Sequence, residues 1–268
     1  MKNYIFLHPT QPNSGLFAFI WQTIRGMYHY PNEKYYIHFG RECCYFDEQL
    51  YFEQNVDNVW DYYFEQPHAK NMPKKEEILK EVGLLFDEFS EFRDVFLSPE
   101  TYKIRRVEYA DIIKNNLKLL PHVSEKLESF YNKNFVGKKV LGLHCRGTDH
   151  PDKLPMEYYV DKIKKHIDNY DILFVTSDEQ SRVDYIKSIF GDKVVLYPTF
   201  RSSNEQPLHY HSNHNHNKYF VGEEVIIEAY LLARTNFLLC CSGSNVNFFV
   251  RCLNQHLPYE IFFTPPQN

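Results

Sequence analysis

Lys138-Lys139-Val140-Leu141-Gly142-Leu143-His144-Cys145-Arg146-Gly147-Thr148-Asp149-His150 joins an apolar run to a tight, charged turn near the middle of the chain. Val140, Leu141 and Leu143 read as a short strand buried in a parallel sheet, and Gly147 permits a sharp bend directly after Arg146. A guanidinium is thereby expected at the carboxyl end of a strand. That edge of an open α/β sheet is where ligands bind, and the planar donor fork of Arg matches a phosphate or a carboxylate. The competing reading is a structural ion pair between Arg146 and Asp149, and spacing alone does not separate the two. A cysteine-phosphatase loop is excluded, because that chemistry needs an Arg several residues past the Cys, where this chain has Pro151. Cys145 reads instead as a small apolar residue on the strand.

Downstream of this turn the alternation is clean. A helix begins near Pro155 with Met156, Tyr159, Val160, Ile163 and Ile167 on one face. Asp171-Ile172-Leu173-Phe174-Val175-Thr176-Ser177-Asp178 follows as an apolar strand ending in a polar turn. Val183, Ile186 and Phe190 mark a second helix, stopped by Gly191, and residues 193–197 give a third strand. Strands alternating with helices predict a parallel sheet, with Arg146 and Asp178 on one edge. The polar loop over 199–218 holds His209, His211, His214 and His216. With no Cys or acid close by, it reads as a solvated loop rather than a metal site.

The next helix, 222–235, is apolar almost all round, so Glu228 sits among Val225, Ile226, Ile227, Tyr230, Leu231 and Leu232. A buried carboxylate needs a partner, and Arg234 lies on another helix face. Glu228 is therefore either a ligand contact, suited to the adjacent N–H donors of guanine, or an acid bonded to the backbone. Residues 236–241 form a further buried strand, and Ser242-Gly243-Ser244-Asn245 turns it into a helix. That turn is a plain cap or an anion site, and its place opposite Arg146 on the same edge favours the anion.

The first half is less regular. Tyr4-Ile5-Phe6-Leu7 is a strand broken by Pro9 and Pro12. Asn13-Ser14-Gly15 opens a helix carrying Leu16, Phe19, Ile20, Ile24 and Met27, and residues 34–40 read as a second strand. The Gly15 turn is either an ordinary cap or a set of N–H groups presented to a ligand. No period is legible over 43–66, whereas 74–96 and 109–131 predict amphipathic helices, and the basic stretch 133–139 links the halves.

At 268 residues and 43% hydrophobic, the chain has ample core for two domains. A net charge of -5 argues against wholesale nucleic-acid binding. Six cysteines without a CxxC read as reduced thiols of a cytoplasmic protein. No secretory signal or membrane span is expected, which leaves room for peripheral membrane association only. The 21 Tyr and 22 Phe read as genome base composition before a carbohydrate surface.

Taken together, His144-x-Arg146-Gly147-Thr148-Asp149, Thr176-Ser177-Asp178, the segment from Gly222 to Leu232 and Ser242-x-Ser244-Asn245 are similar to the fucosyltransferase superfamily. The likeness spans about 138–255 in order and spacing, and in the first half it is confined to the Gly15 turn. It implies an α/β GT-B fold of two Rossmann-like domains facing across a cleft, 1–135 on the acceptor side and 136–268 holding the nucleotide sugar. The implied activity is an inverting, metal-independent transfer of fucose from GDP-fucose to a glycan hydroxyl, with no metal and no cofactor beyond that donor. The absence of any Asp-x-Asp agrees. Arg146 would contact the β-phosphate, His144 and Glu228 would lie near the guanine, and Ser242, Ser244 and Asn245 near the diphosphate. Gly15 and Asp178 complete the expected donor contacts. Asp149 and Asp152 are open between general base and turn residue. Glu228 stands where the family commonly has Asp, Gly147 where a second basic residue is frequent, and His150 where Lys is frequent. Two other readings follow: a glycosyltransferase with another nucleotide sugar, or a catalytically silent nucleotide- or glycan-binding protein.

Overall fold

The computed structural model describes residues 4–9, 14–68, 80–84, 99–148, 154–208 and 217–262. The chain divides into two compact units, Met1–Ser124 with His214–Glu223, and Glu125–Asn213 with Glu224–Asn268. Relative to the expected division at 135/136, residues 125–135 lie with the second unit and 214–223 with the first.

In the first unit, β1 (Tyr4–Pro9) lies between β2 (Lys34–Ile37) and β3 (Lys80–Leu84), all parallel, in the order β2-β1-β3. Pro9 does not interrupt β1 but ends it, a position where a missing N–H costs least. The register runs from Tyr4↔Lys34 to Leu7↔Ile37 on one side and from Ile5↔Lys80 to Pro9↔Leu84 on the other. β3 corrects the helical reading of 74–96 where that stretch is described. The five-residue run Lys-Glu-Val-Gly-Leu contains a poor helix former at Gly83, and pairing with β1 supplies its backbone hydrogen bonds from far away in sequence.

Helix α1 (Leu16–His29) is buried from Leu16 through Met27, beyond the one apolar face its spacing predicts, so that Gln22, Thr23 and Arg25 are buried as well. The aperiodic stretch 43–66 contains α2 (Glu48–Gln54) and a 3-10 turn, Val59–Tyr62. Side-chain-to-backbone bonds organise it instead of a hydrophobic period. Asn58 Oδ1 accepts from the N–H groups of Phe39 (2.9 Å) and Trp60 (3.1 Å), and Asn58 Nδ2 donates to the Ile37 carbonyl (2.8 Å). Its aromatics are core: Trp60 lies 5.6 Å from Phe39 and 4.6 Å from Phe64, ring centre to ring centre. Pro99, expected to follow a helix, instead occupies the first turn of α3 (Pro99–Asn116), where its missing N–H has no intrahelical partner to lose.

In the second unit, β4 (Val140–His144), β5 (Ile172–Thr176), β6 (Val194–Val195), β7 (Phe237–Cys241) and β8 (Tyr259–Phe262) are all parallel, in the order β6-β5-β4-β7-β8. Every residue of β4 and β5 is buried, the mark of a sheet covered on both faces. β8, absent from the sequence reading, is a four-residue edge strand carrying Glu260, too short and too polar to stand out by pattern. Helix α4 (Pro121–Asn134) brings Phe130 to 5.1 Å from Tyr197 and 6.0 Å from Phe174, which holds 125–135 to this unit. α5 (Met156–His166) ends in Lys164, Lys165 and His166, which complement its dipole, and α6 (Gln180–Phe190) ends on Gly191 at φ 53°. α7 (Lys218–Leu232), which belongs to the first unit up to Glu223, starts four residues before the expected 222, because Asn217 Oδ1 accepts from the Tyr219 N–H (2.9 Å). Gly222 falls inside it, where an added Cβ would meet the Tyr63 hydroxyl at 2.1 Å. α8 (Asn245–Leu253) follows β7 after a tight turn.

Candidate functional site

Strand order reverses between β4 and β7: from β4 the chain steps outward through β5 and β6, then returns to β7 and steps outward through β8. At such a switch point the flanking loops diverge and leave a crevice outside the carboxyl ends of the strands. The two loops there are Cys145-Arg146-Gly147-Thr148 and Ser242-Gly243-Ser244.

The first loop is held by β5. The Cys145 N–H donates to the Thr176 carbonyl (2.9 Å), the Gly147 N–H to Asp178 Oδ1 (2.7 Å), and the Thr148 hydroxyl to Asp178 Oδ2 (2.8 Å). Both oxygens of Asp178 thus fix the loop that carries Arg146. An added Cβ at Gly147 would lie 2.3 Å from Glu179 Oε2 and 2.7 Å from Glu179 Cβ, so the glycine lets two polar loops approach. Glu179 is itself pinned by Arg182 Nε (3.2 Å) and the Ser181 hydroxyl (2.6 Å). Arg146 is half-buried. Burial raises the Cys241 thiol pKa, and the Arg146 backbone N–H and charge oppose that rise, which places Arg146 beside the carboxyl end of β7.

The second loop turns through Gly243 at φ 72°, a left-handed geometry that favours glycine. The Ser242 N–H donates to the Phe262 carbonyl (2.8 Å), and the buried Ser244 caps α8, its hydroxyl accepting from the Asn247 N–H (3.5 Å). His144 links the two loops. Its Nδ1 lies 2.9 Å from Thr176 Oγ1 and its Nε2 lies 3.3 Å from Ser244 Oγ. Thr176 also donates to the Leu143 carbonyl (3.4 Å), so the imidazole bridges the end of β5 to the start of α8. Asn245, the first residue of α8, is partly exposed on the same edge.

Glu228 does have an internal partner, which corrects the reading that it lacks one. Arg201 Nη2 lies 3.1 Å from Glu228 Oε1 and also donates to the Tyr197 carbonyl (3.2 Å), while Nη1 donates to the Thr199 carbonyl (3.3 Å). Burial pushes the Glu228 carboxyl up to about 8, against the pull of the Arg201 charge. One turn earlier, Glu224 Oε2 accepts from the Phe200 N–H (2.8 Å). Arg201 sits in an aperiodic polar loop, so its only sequence signal is that two acids on an apolar helix require a cation.

Gly15, the N-cap of α1, belongs to the first unit, has φ -63°, and an added Cβ there would meet nothing within 4 Å. Asp149 and Asp152, with His209, His211, His214 and His216, lie outside the described residues. Among the described residues, no group of three or more His, Cys, Asp or Glu is placed to hold a metal ion, and no helix is long and apolar enough to cross a membrane.

No family model and no curated protein sequence matches the chain. Solved structures do match. NodZ alpha-1,6-fucosyltransferase soaked with GDP-fucose aligns with a TM-score of 0.59 at 17% identity, over 95% of this chain and 93% of that one. NodZ from Bradyrhizobium gives 0.57 at 15% identity, over 95% and 94%. A mutant of Arabidopsis thaliana FUT1 in complex with GDP gives 0.60 at 10% identity, over 100% and 72%. The fold is the fucosyltransferase fold. Within that fold, the edge built from His144, Arg146, Asp178, Ser242, Ser244 and Asn245 is the place where strand order alone would put a ligand.

Proposed function

We propose that the chain is an inverting, metal-independent glycosyltransferase that moves fucose from GDP-fucose to a glycan hydroxyl. The observation that carries this reading is the convergence of Arg146 and the Ser242–Asn245 turn on the β4/β7 switch point, inside a fold shared with proteins solved with GDP and GDP-fucose. As the sugar–phosphate bond breaks, negative charge grows on the leaving diphosphate. A guanidinium and helix-start N–H groups fixed in advance stabilise that charge without reorganising.

In this reading Arg146 meets the β-phosphate, Ser242, Ser244 and Asn245 flank the diphosphate, and Glu228 receives the guanine N–H pair. The Arg201 bond does not preclude that contact: it uses Oε1, and guanine donors would join Arg201 in favouring the ionised form against the burial that raises its pKa. His144 and Asp178 act through the loops they tie together. Asp149 or Asp152 serves as the general base, the second unit takes the donor and the first takes the acceptor. Six free thiols are in keeping with a cytoplasmic location.

Release of GDP from GDP-fucose with a mixed glycan acceptor pool tests the activity, and calorimetry with GDP, UDP and ADP tests the base. The reading expects GDP to bind tightest, Arg146→Ala to abolish turnover, and EDTA to leave it unchanged. Tighter binding of UDP, or full turnover by Arg146→Ala, would overturn it.

A further inference from the structure

Within the first unit, α2, the 3-10 turn and the start of α7 enclose a cavity of about 450 Å³, in the size range of small-ligand sites. Its polar lining combines the carboxylates of Asp47, Glu53 and Asp61 with Gln, Asn and His122 side chains, and among the described lining residues there is no Lys or Arg. Each carboxylate already accepts an internal bond, Asp47 from the Gln49 and Leu50 N–H groups, Glu53 from Gln49 and Asp61 from Asn58 and Gln66, and each keeps lone pairs for a further donor. Its apolar lining is mostly aromatic, with Tyr62, Tyr219 and Phe220 beside Leu50 and Val56. Phe220 is 44% exposed, an unusual degree for so large a ring, while Tyr219 is fixed from several sides. The Tyr219 ring centre lies 5.7 Å from those of Tyr62 and Tyr63, and its hydroxyl lies 3.1 Å from Oε1 of the buried Glu223 and 2.8 Å from His122 Nε2. The aromatic wall is thereby set before any ligand arrives.

These features select a ligand class. Carboxylates with no compensating Lys or Arg repel phosphates, sulfates and uronates, so the cavity does not suit a nucleotide diphosphate. Carboxylates do accept bonds from hydroxyl donors, and an exposed ring offers a flat apolar surface. A pyranose has both faces of this chemistry: an apolar C–H face and a rim of hydroxyl donors. We propose that this cavity is an acceptor subsite for an electrically neutral oligosaccharide, one sugar ring lying on Phe220 and Tyr219 with its hydroxyls donating to Asp47, Glu53 and Asp61. The word acceptor rests on the glycosyltransferase reading above; the cavity's preference for uncharged sugars does not.

The full chain is applied to an array of neutral and uronate- or sialate-bearing oligosaccharides, and hits are titrated by calorimetry with GDP as a separate titrant. The expected hits are neutral glycans, weakened about tenfold or more by Phe220→Ala and by Glu53→Lys, both scored on variants whose melting matches the parent. Tyr219→Phe, which keeps the ring and removes its hydroxyl bonds, is expected to weaken the same hits less. Preferential binding of anionic glycans, unchanged affinity in Phe220→Ala and Glu53→Lys, or no glycan bound at millimolar concentration by a chain that still binds GDP would each overturn the inference. Failure of the unaltered chain to bind GDP would instead break the reading of function.

Discussion

Two glycine turns, one in each unit, share a local signature of strand, glycine and helix and have opposite surroundings. At Gly147 the backbone is pressed against Glu179, and both oxygens of Asp178 hold the loop. At Gly15 the backbone is extended at φ -63° and the space beyond it is open. Gly147 is required by close approach, whereas at Gly15 a side chain would be accommodated. A glycine in a turn therefore says little about function until its neighbours are known, and the neighbours here come from thirty residues downstream.

The largest expected effect tests how far the second unit depends on such internal partners. Measured above about pH 8, where Glu228 is ionised, Arg201→Ala leaves that carboxylate buried without its cation and is expected to cost about 3–5 kcal/mol in denaturant unfolding; a loss under about 1 kcal/mol there would show that the pair is dispensable. Gly147→Ala is expected to cost about 1–3 kcal/mol, because Glu179 backs the turn and is held by Arg182 and Ser181. A neutral result would mean that the loop relaxes freely and would erase the contrast with Gly15.

The third test uses pH. Burial raises the folded Glu228 pKa to about 8 from an ordinary 4.5, so the folded state binds more protons between those values. Its contribution to stability is fully present below about 4.5 and is lost as pH rises toward 8, at up to about 1.4 kcal/mol per pH unit. Unfolding free energies measured from pH 5 to 8.5 should fall along this arm, and Glu228→Gln should flatten it; an arm of equal slope in the variant would assign the titration elsewhere. The smallest effect belongs to Gly15→Ala, expected within about 0.5 kcal/mol of the parent. A larger loss by thermal melting would show that the open turn is constrained after all.

Much of the second unit was legible because its strands are apolar runs bounded by polar turns. Three of them, with the helices between, fix a parallel sheet and put Arg146 and Asp178 on one edge. The place of Asp178 on that edge was legible, while its bonds to Gly147 and Thr148 are tertiary and have no sequence signature. Arg201 escaped for the same reason. β3 was misread because a five-residue strand between charged residues carries too few apolar positions to set a period, and only its pairing with β1 decides it. The aromatic stretch around Trp60 was opaque because side-chain bonds from Asn58, rather than repetition, shape it. Trp60, Tyr62 and Phe64 are all buried there, so the aromatic richness of this stretch builds core.

The hydrogen bonds through His144 form one chain, from the Asn247 N–H to Ser244, across the imidazole to Thr176 and on to the Leu143 carbonyl. The start of α8 and the carboxyl ends of β4 and β5 are thus tied through a single side chain, so that a substitution at His144 would be felt in both loops of the crevice at once.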